Sequence, residues 1–380
     1  MLRSKLPHIG TTIFSVMSAL AHQHHAVNLS QGFPDFQPDE RLLRYAEEAL
    51  RGNAHQYALM PGNITLRERL AEKYASLYAI DIHPDTDITI TAGGAQAIFT
   101  IIQAMIHPGD EVILFAPCYD SYAPAVTLAG GICVYHELHP PHFERDWNAV
   151  KASISERTKM ILINSPHNPT GTCWRDEDMR ALQEIVAGTG ILIISDEVYE
   201  HIVFDGVDHV SALRYPALRD RTFVVNSFGK TYHCTGWKVG YVIAPPHLTK
   251  EFRKVHQYNV FSVNSIAQAA LSAILRHTEL YESLPLFYQQ KRDYFRQLIS
   301  STPLHLLPCE GTYFQLVDYS AIYDGSEYDC AVWLTQTLGV AAIPVSAFYP
   351  TPDTNQSLLR FCFAKHNSTL EQAAERLQSL

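Results

Sequence analysis

Ile191-Leu-Ile-Ile-Ser-Asp196 sets four aliphatic residues before a hydroxyl and a carboxylate. A strand with one wet face alternates apolar and polar residues, whereas a run apolar throughout fits a strand buried on both faces. Similar β-branched runs lie on either side: Asp87-Ile-Thr-Ile-Thr91, Glu111-Val-Ile-Leu-Phe115, Gly131-Ile-Cys-Val-Tyr135, Lys159-Met-Ile-Leu-Ile-Asn164, Thr222-Phe-Val-Val-Asn-Ser227 and Lys238-Val-Gly-Tyr-Val-Ile243. Longer stretches with helical spacing separate them. The expected class is α/β, a seven-stranded, mainly parallel sheet covered by helices. In such sheets ligands collect at the carboxyl ends of the strands.

Outside this block the pattern changes. Ile13, Val16, Met17 and Leu20 fall at i, i+3, i+4 and i+7, so an amphipathic first helix is expected there rather than a secretion signal, although Arg3 and Lys5 precede it. After residue 260 come a helical stretch over 264–300, a strand at Thr312-Tyr-Phe-Gln-Leu-Val317, a helix near 327–338 and a strand at Leu358-Leu-Arg-Phe-Cys-Phe363. Ser368 is expected to cap a closing helix. The division that follows is an N-terminal arm (1–36), a large domain (37–262) and a smaller α+β domain (263–380).

A net charge of −10 with no Lys/Arg run argues against a nucleic-acid partner and for small metabolites. No apolar run approaches the ~18 residues of a membrane span, and the expected location is the cytoplasm. The seven cysteines are scattered without a Cys-x-x-Cys pair, so neither a disulfide framework nor a zinc knuckle is indicated. His22, His24, His25, His139 and His142 fit no ligand spacing, and no metal is expected.

Polar residues recur where the expected strands end. Ala92-Gly-Gly94-Ala95-Gln96 joins a strand to a helix and offers free N–H groups to an anion such as phosphate. Asn164-Ser-Pro-His-Asn168-Pro-Thr-Gly171 is an irregular loop that can aim an amide inward, toward an oxygen such as a phenolate. Asp196 needs a cationic partner if it is buried, and a protonated pyridine nitrogen would serve. Tyr199 stands three residues on. Ser227-Phe-Gly-Lys230-Thr is the strongest signal: a lysine just past a strand, placed to lose its proton and form a Schiff base, with Ser227 and Lys238 flanking it. Ser227-x-x-Lys230 also opens an acyl-serine motif, but no Lys-Thr-Gly follows. Gly229-Lys-Thr231 imitates a nucleotide-binding loop, yet Val224 stands where its first glycine belongs.

These segments together resemble the fold-type I pyridoxal-phosphate (PLP) aminotransferases of class I/II. The resemblance covers nearly the whole chain and is nearest to the kynurenine, glutamine and methionine aminotransferases. Asn28-Leu-Ser-Gln-Gly-Phe-Pro-Asp-Phe36, Asn164–Gly171, Ser227–Thr231, Thr235-Gly-Trp-Lys-Val-Gly240 and Arg360-Phe-Cys-Phe363 carry it, and five matches in order are far more specific than any one. The resemblance implies PLP on Lys230, Asp196 at the pyridine nitrogen, Asn168 and Tyr199 at the phenolic oxygen, and Tyr119 stacked on the ring. It gives the phosphate to Gly94, Ala95, Gln96, Ser227 and Lys238. Many relatives carry arginine at position 238, so lysine keeps the charge but loses the fork.

It also implies that Arg360 grips the substrate carboxylate, with Gly32 and Asn168 beside it, and that Tyr57 reaches across a homodimer interface. With one carboxylate anchor and aromatic contacts at Phe14, Tyr57 and Phe261, a large neutral amino donor is expected: methionine, an aromatic amino acid or glutamine, with a 2-oxo acid as acceptor. The alternative is a PLP β-lyase acting on cysteine conjugates. A regulator holding the same cofactor without turnover would add a helix-turn-helix module, for which residues 1–36 leave no room.

Overall fold

A computed structural model describes residues 3–351 and 356–380. Seven strands form one sheet: β1 (Ile88–Thr91), β2 (Glu111–Ala116), β3 (Ile132–Glu137), β4 (Thr158–Asn164), β5 (Leu192–Asp196), β6 (Thr222–Ser227) and β7 (Gly240–Ile243). Their order is β1-β7-β6-β5-β4-β2-β3, and β7 alone runs antiparallel to its neighbours. The expected seven strands and mainly parallel pairing are therefore present.

Successive side chains on a strand point to opposite faces, and here each face has its own core. Val112, Leu114, Met160 and Leu162 pack on one side with Ile98, Ile101 and Ile102 of α1 (Gly94–Met105) and Phe252 of α2 (Pro246–Asn259). Ile113, Phe115, Ile161 and Ile163 pack on the other with Met179, Leu182 and Val186. That two-sided burial is why the runs read as apolar throughout. The exception is β3, an edge strand with exposed ends that is buried at no position. An apolar run alone does not separate an edge from a centre.

A second, antiparallel sheet has the order β10-β11-β9-β8, from β8 (His305–Leu306), β9 (Phe314–Asp318), β10 (Ile343–Pro344) and β11 (Leu358–Cys362). The helical stretch expected over 264–300 consists of three helices, Ser265–Ile274, Glu279–Glu282 and Leu284–Leu298. Pro285 lacks an N–H and fits only a first helical turn, so the helix must restart there. The helix near 327–338 is α-helical over Glu327–Trp333 and finishes in a wider turn, Leu334–Leu338.

The first helix runs from Ile13 to Gln23, capped by Thr12 and burying Met17 and Ala21. The closing helix, Asn367–Leu377, is not capped by Ser368. Instead Asp35 reaches it from the N-terminal segment, its carboxylate accepting from the His366 N–H at 2.6 Å and the Thr369 hydroxyl at 2.7 Å. A cap supplied from more than 300 positions away has no local signature. Among the described residues no helix is long and apolar enough to cross a membrane.

Candidate active site

The carboxyl ends of β1, β2, β4, β5 and β6 surround a single cavity. It is lined by residues from Gly93–Ala95, Tyr119 and Tyr122, Asn164 and Asn168, Asp196 to Tyr199, Ser227 and Lys230, and Thr235 and Lys238.

Lys230 lines it from a single helical turn (Phe228–Thr231) directly after β6. Burial brings its amine down to about 8, with the cations of Arg360 and Lys238 acting in the same direction against Asp196. About a tenth of the amines would be unprotonated at neutral pH, against roughly one in three thousand at the ordinary value. Its Nζ donates to the Tyr313 hydroxyl at 2.8 Å and to the Gly32 carbonyl at 3.2 Å.

Asp196 ends β5, where its Oδ2 accepts from the Tyr122 hydroxyl at 2.5 Å and its Oδ1 from the Val198 N–H at 3.3 Å. Burial raises this carboxyl to about 6, and the two hydrogen bonds and the Lys230 ammonium work the other way. A buried acid so supported is suited to a cationic partner.

The loop after β4 is tied to the same place, since Asn164 Nδ2 donates to the Asp196 carbonyl and Asn164 Oδ1 accepts from the Asn168 N–H, both at 2.9 Å. Asn168 Oδ1 accepts from Arg360 Nη1 at 2.6 Å. An arginine can only donate, so the Asn168 carbonyl is committed and its NH2 group is left for a ligand. Tyr199 is buried, and its ring meets that of Tyr313 edge-on at 5.2 Å.

At the other end α1 points its amino terminus into the cavity. Gly93 holds φ +85°, a conformation that favours glycine, and a Cβ there would lie in van der Waals contact with Lys238 Nζ at 3.5 Å, so the ammonium sits beside this turn. Ser227 Oγ accepts from the Gly229 N–H at 3.2 Å, which leaves its own O–H to donate. Free N–H groups, an ammonium and a hydroxyl form a phosphate-sized cup. The Gln96 side chain is spent on the Ala92 N–H (2.9 Å) and the Thr100 hydroxyl (2.6 Å) and does not line the cavity.

Arg360 is 1% exposed, with its guanidinium carbon 3.8 Å from the centre of the Phe314 ring and 5.0 and 5.4 Å from those of Phe348 and Phe14. Its Nη2 donates to the Ser30 carbonyl at 3.3 Å, while its buried Nε has no partner. A buried donor left open is costly unless a ligand completes it. Gly32 packs so closely that a Cβ would fall 2.8 Å from the Phe314 ring.

Arg360, Gly32 and Phe14 adjoin the cavity through Asn168, Lys230 and Arg360 without lining it, whereas two other expected contacts lie away from it. Tyr57 is 81% and Phe261 48% exposed, their rings 5.4 Å apart on the surface, and neither lines this cavity. Conversely, Tyr122, Asn164, Thr235 and Tyr313 touch the cavity or its lysine without having been singled out. Asn164 and Thr235 sit in motifs already quoted, but nothing near residue 313 points to a lysine 83 positions away.

The family model for aminotransferase class I and II matches residues 24–377. The chain belongs to the class I and II aminotransferases. This aminotransferase is 52% identical over 379 residues to the methionine aminotransferase of Escherichia coli, covering 100% of the chain and 98% of the relative. It is 32% identical to human kynurenine–oxoglutarate transaminase 1, covering 94% of the chain and 93% of the relative. Among solved structures, an Escherichia coli protein for which a methionine aminotransferase function was identified superposes with a TM-score of 0.97 over 100% of both chains, at 52% identity. The N-succinyldiaminopimelate aminotransferase of Mycobacterium tuberculosis does so with 0.96 over 100% of both, at 34%.

The cofactor of this aminotransferase is pyridoxal 5'-phosphate, and the cavity fits it. An amine of lowered basicity, a buried carboxylate, an uncommitted amide NH2 and an anion cup answer its aldehyde, ring nitrogen, phenolic oxygen and phosphate. When bound, the cofactor supplies an electron-withdrawing ring conjugated to the substrate α-carbon.

Proposed function

We propose that this aminotransferase carries its cofactor on Lys230 and moves the amino group of a large neutral amino acid (methionine, an aromatic amino acid or glutamine) to a 2-oxo acid. The observation that carries the reading is one cavity lined by both the Lys230 amine and the buried Asp196 carboxylate. Asp196 keeps the ring nitrogen protonated; Asn168 and Tyr199 hold the phenolic oxygen; Tyr119 covers the ring face. Gly94, Ala95, Ser227 and Lys238 take the phosphate, with Gln96 contributing its backbone N–H alone. Arg360, beside Gly32 and Asn168, takes the substrate carboxylate through its open Nε edge. The Lys230 amine would take and return the proton at the substrate α-carbon.

The aromatic surround of Arg360 (Phe14, Phe314, Phe348) favours apolar donors, and among the described residues the cavity lining carries no lysine or arginine besides Lys230 and Lys238 for a second carboxylate. Steady-state kinetics across amino donors are expected to rank methionine and aromatic amino acids above aspartate by kcat/KM. A preference for aspartate would reject this substrate class. Pyruvate release from a cysteine conjugate without amino transfer would favour β-elimination instead.

The carboxyl of Asp196 makes cofactor binding depend on pH. As pH falls through about 6 the acid becomes neutral and can no longer pair with the ring cation. Affinity of the cofactor-free protein for PLP is expected to drop by up to about tenfold per pH unit below that point. Titration of Asp196→Asn over the same range should lack this component.

We assign the chain to the cytoplasm, since all seven cysteines are unpaired and six are buried, as suits a reducing compartment. Its parts are the arm (1–36), a large domain (37–262) and a small domain (263–380).

The proposed assembly is a homodimer. Tyr57, Leu59, Tyr258 and Phe261 form an exposed apolar patch, 81, 72, 88 and 48% accessible, of the kind that marks an interface. Tyr57 would there complete the phosphate site of the partner subunit. Chains carrying Tyr57→Ala and chains carrying Lys230→Ala, each weakly active or inactive alone, should regain about a quarter of the parental activity on random mixing, one competent site per mixed dimer. No recovery in confirmed mixed dimers would reject the crossing tyrosine.

A further inference from the structure

Lys230 has two polar partners, and one of them, Tyr313, belongs to no motif that the chemistry has used. The ring is fully buried, and burial pushes its phenol well above the ordinary value, so it stays protonated. Its O–H donates to the Gly32 carbonyl at 2.6 Å. The lone pairs of the same oxygen then accept from Lys230 Nζ at 2.8 Å, and Nζ also donates to the Gly32 carbonyl at 3.2 Å. Three polar atoms close a triangle, drawn from the N-terminal segment, the turn after β6 and the approach to β9.

We propose that Tyr313 is a positioning residue for Lys230: its hydroxyl, tied to the Gly32 carbonyl, fixes where the lysine amine rests whenever that amine is not bonded to the cofactor. The proposal rests on Lys230 being the cofactor lysine.

The backbone around Tyr313 is built for this placement. A Cβ on Gly311 would lie 2.7 Å from Pro166 Cβ and 2.8 Å from the Ile202 carbonyl, so the chain passes where only glycine fits. Thr312 holds φ +65°, an uncommon conformation for a β-branched residue, and its N–H donates to the Ile202 carbonyl at 2.9 Å. The Tyr313 carbonyl accepts from the Phe363 N–H at 3.0 Å. Such strain persists only where the surroundings enforce it.

Packing does not require the hydroxyl. The ring meets Tyr199 edge-on at 5.2 Å and Tyr288 at 5.7 Å, contacts that phenylalanine would keep. Tyr288 is the useful contrast, because it is equally buried and its hydroxyl has no partner. A lysine stem has four rotatable bonds, so an amine without fixed partners spreads over many positions. Anchored, it faces the reacting carbon from one place, which is where a proton-transferring group must stand.

The hydrogen bond also favours the protonated amine, so its loss has a signature that mere loss of packing lacks. The other groups acting on this amine, Arg360, Lys238, Asp196 and Cys362, are untouched by the substitution. Cofactor-free parent, Tyr313→Phe and Tyr288→Phe are mixed with PLP across the alkaline range, and the rate of appearance of the visible band is recorded. For Tyr313→Phe the midpoint of that profile is expected to fall by about one pH unit, and kcat of the reconstituted enzyme about tenfold with KM for the amino donor little changed. Tyr288→Phe is expected to match the parent in both. A Tyr313→Phe profile that superimposes on the parent, or a Tyr288→Phe profile displaced equally, overturns the proposal. Borohydride then locates the label. On Lys230 with an unmoved midpoint, Tyr313 alone loses its role; elsewhere in the chain, the assignment of the cofactor lysine falls with it.

Discussion

Lys230→Ala is expected to retain PLP and to lose about 10⁴-fold or more in kcat. Retention follows because the anion cup at Gly93–Ala95, the ammonium of Lys238, the Ser227 hydroxyl and the Asp196 carboxylate all remain. Loss follows because one nitrogen does two jobs, as tether and as carrier of the proton. Lys238 is no substitute, since its Nζ is held against Gly93, at the phosphate end. Single-turnover absorbance measurements with methionine check the prediction, and a half-reaction at the parental rate would contradict it.

Lys73→Ala is expected to destabilise the fold by about 3–5 kcal/mol. Lys73 is 6% and Glu200 3% exposed, and the two form a direct ion pair. The same carboxylate accepts from the hydroxyls of Tyr241 and Tyr74 at 3.3 and 3.4 Å. Burial alone would raise the Glu200 carboxyl, but the Lys73 ammonium, with His201, overcomes it and holds the group well below the usual carboxylate range.

Removing the lysine leaves a buried charge uncompensated, which costs more than the pair itself contributes. Lys73→Met with Glu200→Gln should therefore recover more than half of the loss. As a control, Arg180→Ala breaks a pair whose side chains are 73 and 57% exposed and should cost less than about 1 kcal/mol. Because the folded carboxyl is depressed, its contribution is present above the unfolded value of about 4.3 and is lost as pH falls through the folded one. Denaturant unfolding at fixed protein concentration near neutral pH measures the first effect, and repeating it from about pH 4 downward follows the second. Equal stability of parent and Lys73→Ala near neutrality would contradict this account.

What could be read in the chain before its structure follows from how local each feature is. The strands are legible because burial on both faces writes itself as an unbroken aliphatic run, as in Ile191–Ile194. Lys230, Asp196, Asn168 and Ser227 are legible because each closes a strand or opens the loop after it, and the topology brings those ends together. The cap of the last helix was assigned to Ser368, whereas Asp35 does the work from the other end of the sequence. Gln96 has the residue type of a ligand but turns its amide back onto Ala92 and Thr100. Tyr313 and the Lys73–Glu200 pair are meetings of distant segments, with no spacing rule to announce them. The exposure of Tyr57 and Phe261 is what the proposed dimer would account for.

The most direct test is to reduce the purified, PLP-loaded protein with borohydride and map the fixed label by peptide sequencing. The account predicts a visible absorption band that disappears on reduction and a single labelled residue, Lys230. A colourless protein indifferent to PLP, or a label on any other lysine, would contradict it.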